Sequence, residues 1–577
     1  MPLTKVSPSI AIVILVASLL IGCGDTQHPG VDTVMLNAKV YTLNAGQPWA
    51  EAVAISGDSI VFVGDNAGAL ALADDDTIEY DLGGSLVLPG FIDTHVHPIM
   101  GGAFAQALAL DTFGDIESWV AAIDAFAESN PDDDVIFGYG FLATTFGPEG
   151  PTRQLIDAVV ADRPVLIMDE GFHGAWANTA ALEALNITQD TADPVPGYSY
   201  YKRDERGDAT GYLLEGTAGM AMDSLDVIND ETTIEGAAII IDIMNAYGVT
   251  AAFDASGDDD DPEHMARILN RIDSNGDLNL RLVGSVRATA SKTSEENVET
   301  AARWREIVKG NSFHYNTLKI PDDGTVEGRT AAMFEDYQGE PGNNGETVFT
   351  EAQLTEMIKA AAAQNIDVHI HALGERAIHE TLNAIEATRK ALPETDSRFT
   401  ICHLQVIIDQ DVPRFGELDV IAQSTPLWAS YDSYGQQFVS KDQFNRYWRY
   451  KDLENTGAKL SFGSDFPASG AGTLGLSPVV QIEIGHTRQE PGTPDALVQP
   501  PESQRISIES LVRGFTLDAA YQLRMEDEIG SIEVGKKADL VVLDQDIFAV
   551  DPYAIHKTNV VRTVLGGRTV FDATSDP

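Results

Sequence analysis

The chain has 577 residues, 44% of them hydrophobic, with 37 Lys+Arg against 89 Asp+Glu and a formal net charge of −52. That length excludes one ordinary small domain and suits a large barrel with an appended domain, with enough apolar material for a sizeable core. The charge excludes a nucleic-acid-binding surface and opposes adhesion to anionic lipid; it reads as a solvated acidic surface of the kind a salt adaptation produces.

Residues 1–22 have the pattern of a bacterial lipoprotein signal peptide. Lys5 is the only charged side chain there, and Ile10 to Ile21 is almost wholly apolar but too short for a comfortable membrane span. Leu20-Ile21-Gly22-Cys23 resembles a lipobox, which predicts cleavage before Cys23, a lipid on its thiol and an exported, membrane-anchored protein; an uncleaved anchor is the alternative. Residues 23–30 form a tether. Only Cys402 remains besides Cys23, so no internal disulfide framework is available despite export.

Residues 31–88 have the pattern of a small β unit. Residues 34–41 alternate as one strand, and 52–55 and 60–63 flank a hairpin-like turn at Ser56-Gly57-Asp58-Ser59. The next run, Val87 to Pro98, passes through Pro89-Gly90 and ends in His95-Val96-His97. Side chains two apart on a strand share a face, so His95 and His97 converge. Neutral imidazoles are common ligands for zinc-like metals; from this pair alone, two idle strand histidines are the competing reading.

A long insertion, about 100–245, follows. It holds a strand at 165–168, then Gly171-Phe172-His173-Gly174-Ala175-Trp176, a helix at 177–185, and Gly211-Tyr212-Leu213-Leu214-Glu215. From 235 the pattern becomes regular. Helical stretches alternate with apolar strands at 249–254, 280–285, 316–320, 367–372, 399–404, 418–423 and 459–465. With 91–97 these make eight, which predicts a (β/α)8 TIM barrel over 89–525. The tail, 526–577, returns to β character at 538–543 and 560–571, the latter turning at Gly566-Gly567. It is expected to join 31–88 in one β-sandwich built from both chain ends. Asp273 to Asp277 superficially suggests a calcium loop, but its Gly276 is misplaced for one and the segment is read as a turn. The acidic run at 258–261 is read as a solvated loop.

Catalytic groups of such barrels collect at the C-terminal ends of the strands. Besides His95 and His97, those ends carry Lys319, His371, His403 and Asp465, the last in Phe462-Gly463-Ser464-Asp465. By position all six face the mouth of the barrel, a metal-site constellation.

Across residues 31–572 the chain resembles the amidohydrolase superfamily. The resemblance lies in Leu88-Pro89-Gly90-Phe91-Ile92-Asp93-Thr94-His95-Val96-His97, in Gly463-Ser464-Asp465, and in the tail from Gly530 to Leu540. The Gly-x-His-x-Ala-Trp around His173, and Lys319 ahead of Asp323-Gly324, are similar to the family 3 branch, which includes N-substituted formamide deformylases. The resemblance implies a metal-dependent hydrolase, with two zinc ions bridged by a carboxylated Lys319. An exposed lysine has a pKa of about 10.4 and does not ligate metals as an ammonium. One ion would take His95, His97, Lys319 and Asp465, the other Lys319, His371 and His403. Asp465 would also move the proton, and His173 would touch the substrate carbonyl, with a packing role as its alternative. His369, two before His371, is expected to support the ligands from behind or to belong to the core, not to ligate, and Glu215 is a candidate for such support. The chain departs from the branch at Glu375 (usually Asp), at Cys402 (often Glu) and near Leu427-Trp428 (often polar). The aromatic-rich segment 426–450 is either an apolar pocket wall or a loop packed on the insertion.

The expected protein is thus a lipid-anchored metallohydrolase that cleaves a C–N bond in a small amide or cyclic amide. It has no nucleic-acid partner, and it touches the membrane only through Cys23. The rival activities are an esterase or lactonase, a deaminase (which in this superfamily usually uses one metal and lacks the lysine), and a non-catalytic metal-bound binding lipoprotein.

Overall fold

The computed structural model describes residues 30–574 apart from 112–113, 148, 170–173, 195–198, 258–260 and 470. The segment carrying Cys23, the residue His173 and most of the acidic run at 258–261 lie outside the described residues.

Apolar runs buried on both faces need parallel partners and helical covers. Here they pair in sequence order as β1 (Phe91–Val96), β2 (Val249–Gly257), β3 (Arg281–Arg287), β4 (Phe313–Pro321), β5 (Asp367–Ala372), β6 (Phe399–His403), β7 (Val420–Ser424) and β8 (Leu460–Phe462). Every hydrogen-bonded pair from β1 to β8 is parallel. The ring closes just beyond β8, where Asp465 N–H donates to the His95 carbonyl at 2.7 Å and His97 N–H donates to that of Phe466 at 2.9 Å. The fold is a (β/α)8 barrel. Its helices begin where local chemistry stops the preceding loop: Glu351–Ala362 opens on a reciprocal cap, Gln353 N–H on Thr350 Oγ1 and Thr350 N–H on Gln353 Oε1. The calcium-like segment is the end of helix Pro262–Asn275, with Gly276 in a left-handed cap at φ +86°.

The insertion has its own six-stranded sheet. Its order is Tyr200–Arg203, Ala209–Leu214, Gly174–Ala177, Val165–Asp169, Ile136–Phe141 and Leu108–Ala109. Trp119, Phe141 and Trp176 belong to one cluster packed on this sheet, and Leu166, Met168 and Leu213 to another. Only the 165–168 strand was expected there.

Both chain ends share a six-stranded sheet in which Leu86–Pro89 lies between Lys39–Tyr41 and Leu540–Leu543. A four-stranded sheet from residues 33–81 accompanies it. The single strand expected over 34–41 is two, Thr33–Leu36 and Lys39–Tyr41, and they enter different sheets. Asn37 between them has φ +55°, a left-handed conformation that Asn tolerates and that redirects the chain.

Candidate metal centre

β1 brings His95 and His97 to the rim. Asp93, two residues before His95, is buried in the strand, and its Oδ1 accepts the N–H groups of His95 (3.1 Å) and Ser464 (3.0 Å). It therefore ties β1 to the turn after β8. Burial pushes this carboxyl up to about 7. A Cβ at Gly463 would collide with the His95 backbone and Asp93. Glycine is required there by this close approach.

That turn delivers Asp465, whose φ of +53° swings its carboxylate inward. Asp465 Oδ1 lies 3.2 Å from His97 Nε2 and 3.4 Å from His95 Nε2, and Oδ2 lies 3.8 Å from His403 Nδ1. His403 also breaks strand alternation, at φ +74°. In consequence Cys402 and His403, neighbours in sequence, both reach the centre. Non-glycine residues in this region carry strain, and strain of this kind clusters at functional sites.

β4 supplies Lys319, with Nζ 3.1 Å from His95 Nε2 and 3.6 Å from Cys402 Sγ. β5 supplies His371, whose ring centroid lies 4.5 Å from that of His403. The structure thus brings all six of these candidate residues together; His95, His403 and Asp465 place ligand atoms within 4.8 Å of one another. His371 Nε2 and His403 Nδ1 are buried without a hydrogen-bond partner. Burial pushes His371 down to about 3 and holds His95, His369 and His403 well below the ordinary imidazole range. Neutral imidazoles with unused lone pairs beside a carboxylate form a donor set that fits a divalent cation.

His369 stands behind this set. Its Nε2 is 2.9 Å from His95 Nδ1, and its ring stacks on Phe253 at 4.8 Å. Sequence reasoning attached no function to Asp93, Asp323 or Arg287. Asp323 accepts N–H groups from Ala332, Leu373 and Gly374 at 2.9–3.0 Å and lies 3.7 Å from His371 Nε2; burial pushes it up to about 7. Arg287 ends β3 at the rim. The signal for Asp93 and Arg287 was a charged residue embedded in, or closing, an apolar strand; Asp323 lies two residues beyond β4. Glu375 is buried in an ion pair with Arg446 at 2.7 Å, a structural role. Glu215 is half-buried, at φ +54°, ahead of helix Gly216–Ser224.

Of the aromatic segment, Trp428 reaches the centre: its ring lies 5.7 Å from His403, and its indole N–H donates to Ser469 O at 3.1 Å. Tyr447 and Trp448 are buried, and their carbonyls accept from Arg488. The cavity in front of the six residues measures about 240 Å³, with Met100, Arg287 and Pro321 among its walls.

The model of the Amidohydrolase family matches residues 79–571. The chain belongs to the amidohydrolase family. Exoenzymes regulatory protein AepA of Pectobacterium carotovorum subsp. carotovorum is 30% identical to this amidohydrolase over 414 residues, covering 70% of this chain and 87% of that protein. N-substituted formamide deformylase of Arthrobacter pascens is 24% identical over 563 residues, covering 94% and 99%. An uncharacterized metal-dependent hydrolase from Pyrococcus horikoshii OT3 superposes with a TM-score of 0.72 at 23% identity, covering 90% of this chain and 99% of that one. The amidohydrolase is a metal-dependent enzyme that hydrolyses carbon–nitrogen bonds.

Proposed function

We propose that this amidohydrolase cleaves the C–N bond of a small amide or cyclic amide at two zinc ions bridged by a carboxylated Lys319. The surroundings of Lys319 carry the reading. Its side chain is buried, 6% exposed, against an imidazole and a thiol, with no carboxylate within ion-pair distance among the described residues. A buried cation without a counter-charge is costly. Adding CO2 to Nζ makes the group an anion with two oxygens, which suits a bridge between ions roughly 3.5–4 Å apart. His95, His97 and Asp465 would hold one ion with Lys319, and His371 and His403 the other.

Such ions supply Lewis acidity, lowering the pKa of water towards ~7 and polarising a carbonyl. Asp465, set between His97 and His403, would take the proton of the attacking water and return it to the leaving nitrogen. Asp323 and Asp93 fix the loops that carry His371 and Asp465. His173 would contact the carbonyl oxygen. Export and a lipid on Cys23 complete the proposal and rest on the lipobox-like Leu20–Cys23 motif.

The deaminase reading has no use for Lys319, and a binding lipoprotein has no use for a proton-transfer carboxylate. The test is metal analysis and native mass spectrometry of the zinc-loaded chain. Two metals per chain and an addition of about 44 Da on Lys319, the mass of one CO2, are expected. Lys319→Ala should lose at least one metal and most activity, and acetate or formate should restore part of both. One metal per chain, with Lys319→Ala as active as wild type, would discard the bridged centre.

A further inference from the structure

We propose that Glu327, Asp432 and Gln405 form a binding site for a calcium ion that pins together three loops at the mouth of the barrel. The site is separate from the metal centre above and does not depend on that reading.

The three residues come from separate loops, Glu327 after β4, Gln405 after β6 and Asp432 after β7. Gln405 Nε2 donates to Glu327 Oε1 at 2.7 Å. Asp432 Oδ1 accepts the N–H groups of Tyr434 and Gly435, at 3.0 and 2.7 Å, and so closes its own turn. Its other oxygen is left facing Glu327: a Cβ at Gly435 would strike Asp432 Oδ2 and lie 2.8 Å from Glu327 Oε1. Two half-buried carboxylates thus crowd one point. Among the described residues, no lysine, arginine or histidine lies within ion-pair distance of either; their partners are an amide and backbone N–H groups. Burial, and then the Asp432 carboxylate, raise Glu327 above the ordinary carboxylate range. Like charges so placed stay together only with a shared proton or a cation between them.

Two uncharged groups decide between these. Among the described residues, the Tyr447 hydroxyl has no hydrogen-bond partner although the residue is 0% exposed, and Gln405 Oε1 has none at 2%. Tyr447 packs on the Gln405 loop: it bridges to Val406, and Trp448 N–H donates to the Gln405 carbonyl at 3.1 Å. After burial, the charges of Glu327 and Asp432 raise its phenol further, so the lone hydroxyl looks onto both carboxylates. A shared proton would satisfy the carboxyls and leave both orphans buried, which is costly. A cation with its waters satisfies all four groups. The donors are oxygens alone, without imidazole or thiol, and they sit on loops. That set suits calcium, which takes roughly six to eight oxygens in irregular geometry, better than zinc or the strict octahedron of magnesium. β4 and β6 carry Lys319 and His403, and the third loop sets Trp428 against His403. The ion therefore fixes the shape of the mouth without touching the metal centre.

The test titrates the full chain, as purified, with calcium chloride by calorimetry at fixed ionic strength. Wild type is compared with Glu327→Gln and Asp432→Asn, which keep size and remove charge. Wild type should bind one calcium per chain with a Kd no weaker than about 10⁻³ M, above the diffuse binding of the acidic surface, and each variant should weaken it by roughly tenfold or more. A second measurement needs wild type alone. Terbium, a calcium mimic, should be sensitised by the Tyr447 and Trp448 rings and displaced by calcium. Its luminescence decay in H2O and D2O should show at most about three coordinated waters, the protein supplying the rest of the shell. Variants that bind calcium as wild type does would overturn the site. A terbium ion that keeps nearly all its waters would overturn it too, and would leave the two carboxyls joined by a shared proton.

Discussion

Replacing His369 with alanine removes the group that receives His95 Nδ1–H. If His95 offers its Nε2 lone pair to a cation, its proton must sit on Nδ1, and the atom facing it at 2.9 Å is His369 Nε2. His369 can accept because burial holds it neutral, well below the ordinary imidazole range. The substitution loses a net hydrogen bond of about 1 kcal/mol and leaves a buried N–H unsatisfied, at about 1–3 kcal/mol. Expressed in metal affinity, that is roughly 10–100-fold, the range for groups that orient a ligand from behind. Alanine also strips the ring stacked on Phe253, so packing and orientation must be separated. His369→Gln keeps an acceptor and most of the volume. Zinc affinity should be measured by competition with a chromophoric chelator, and stability by thermal unfolding of the metal-free chains. Both variants should unfold earlier than wild type, but only His369→Ala should lose zinc affinity by tenfold or more. A His369→Ala chain that binds zinc within about threefold of wild type would refute the orienting role.

Asp465→Asn should cut turnover by roughly 10²–10⁴ while most metal stays bound; a variant keeping a tenth of the rate would contradict proton transfer by this carboxylate. Asp539→Ala breaks a bidentate pair with Arg281, at 2.6 and 2.9 Å, in which the Asp539 side chain is 2% exposed and that of Arg281 20%. It should cost about 2–4 kcal/mol in urea unfolding, less than a fully buried pair because Arg281 keeps some water. Burial, and then the neighbouring Asp323 carboxylate, push Asp322 up to about 8. The folded chain therefore holds this proton more tightly than the unfolded chain, whose Asp titrates near about 4, and the stabilising term present below that pH is lost as pH rises towards 8. Asp322→Asn should gain on wild type steadily across that window, and a pH-independent difference would exclude the effect. Cys23→Ala should move the protein out of the membrane fraction; an unmodified, full-length N-terminus on wild type would end the lipoprotein proposal.

The barrel was legible because each strand sits between helical stretches and is apolar on both faces; β5 falls on the expected residues, 367–372. β8 ends at Phe462, earlier than expected, because after a last hydrogen bond from Gly463 N–H to the carbonyl of Ser424 in β7 the chain turns inward to the centre through Ser464 and Asp465. Five insertion strands escaped notice. Ile136–Phe141 carries Gly138 and Gly140, and Ala209–Leu214 carries Gly211, which interrupt the alternation that marks a strand. The six candidate residues were legible because each lies at or near the C-terminal end of a barrel strand, His97 and Asp465 just beyond theirs. Asp93 and Asp323 were not, since their work is to accept backbone N–H groups, those of Ser464, Leu373 and Gly374 among them, from segments far away in sequence. Of the aromatic segment, composition could not say which ring turns to His403 and which carbonyls Arg488 collects.

The strand Leu86–Pro89 is separated from β1 by Gly90 alone, yet it pairs with Leu540–Leu543, Leu88 opposite Val541. During synthesis this edge emerges early and waits, open, while the whole barrel is made. Unpaired edges recruit foreign strands, and long-range pairings form slowly. A strand that leaves the ribosome only after the barrel, Leu540–Leu543, is therefore the one that clasps the root of the strand bearing His95. A nascent chain stalled before that clasp would carry every one of the six residues and still lack their anchored first strand.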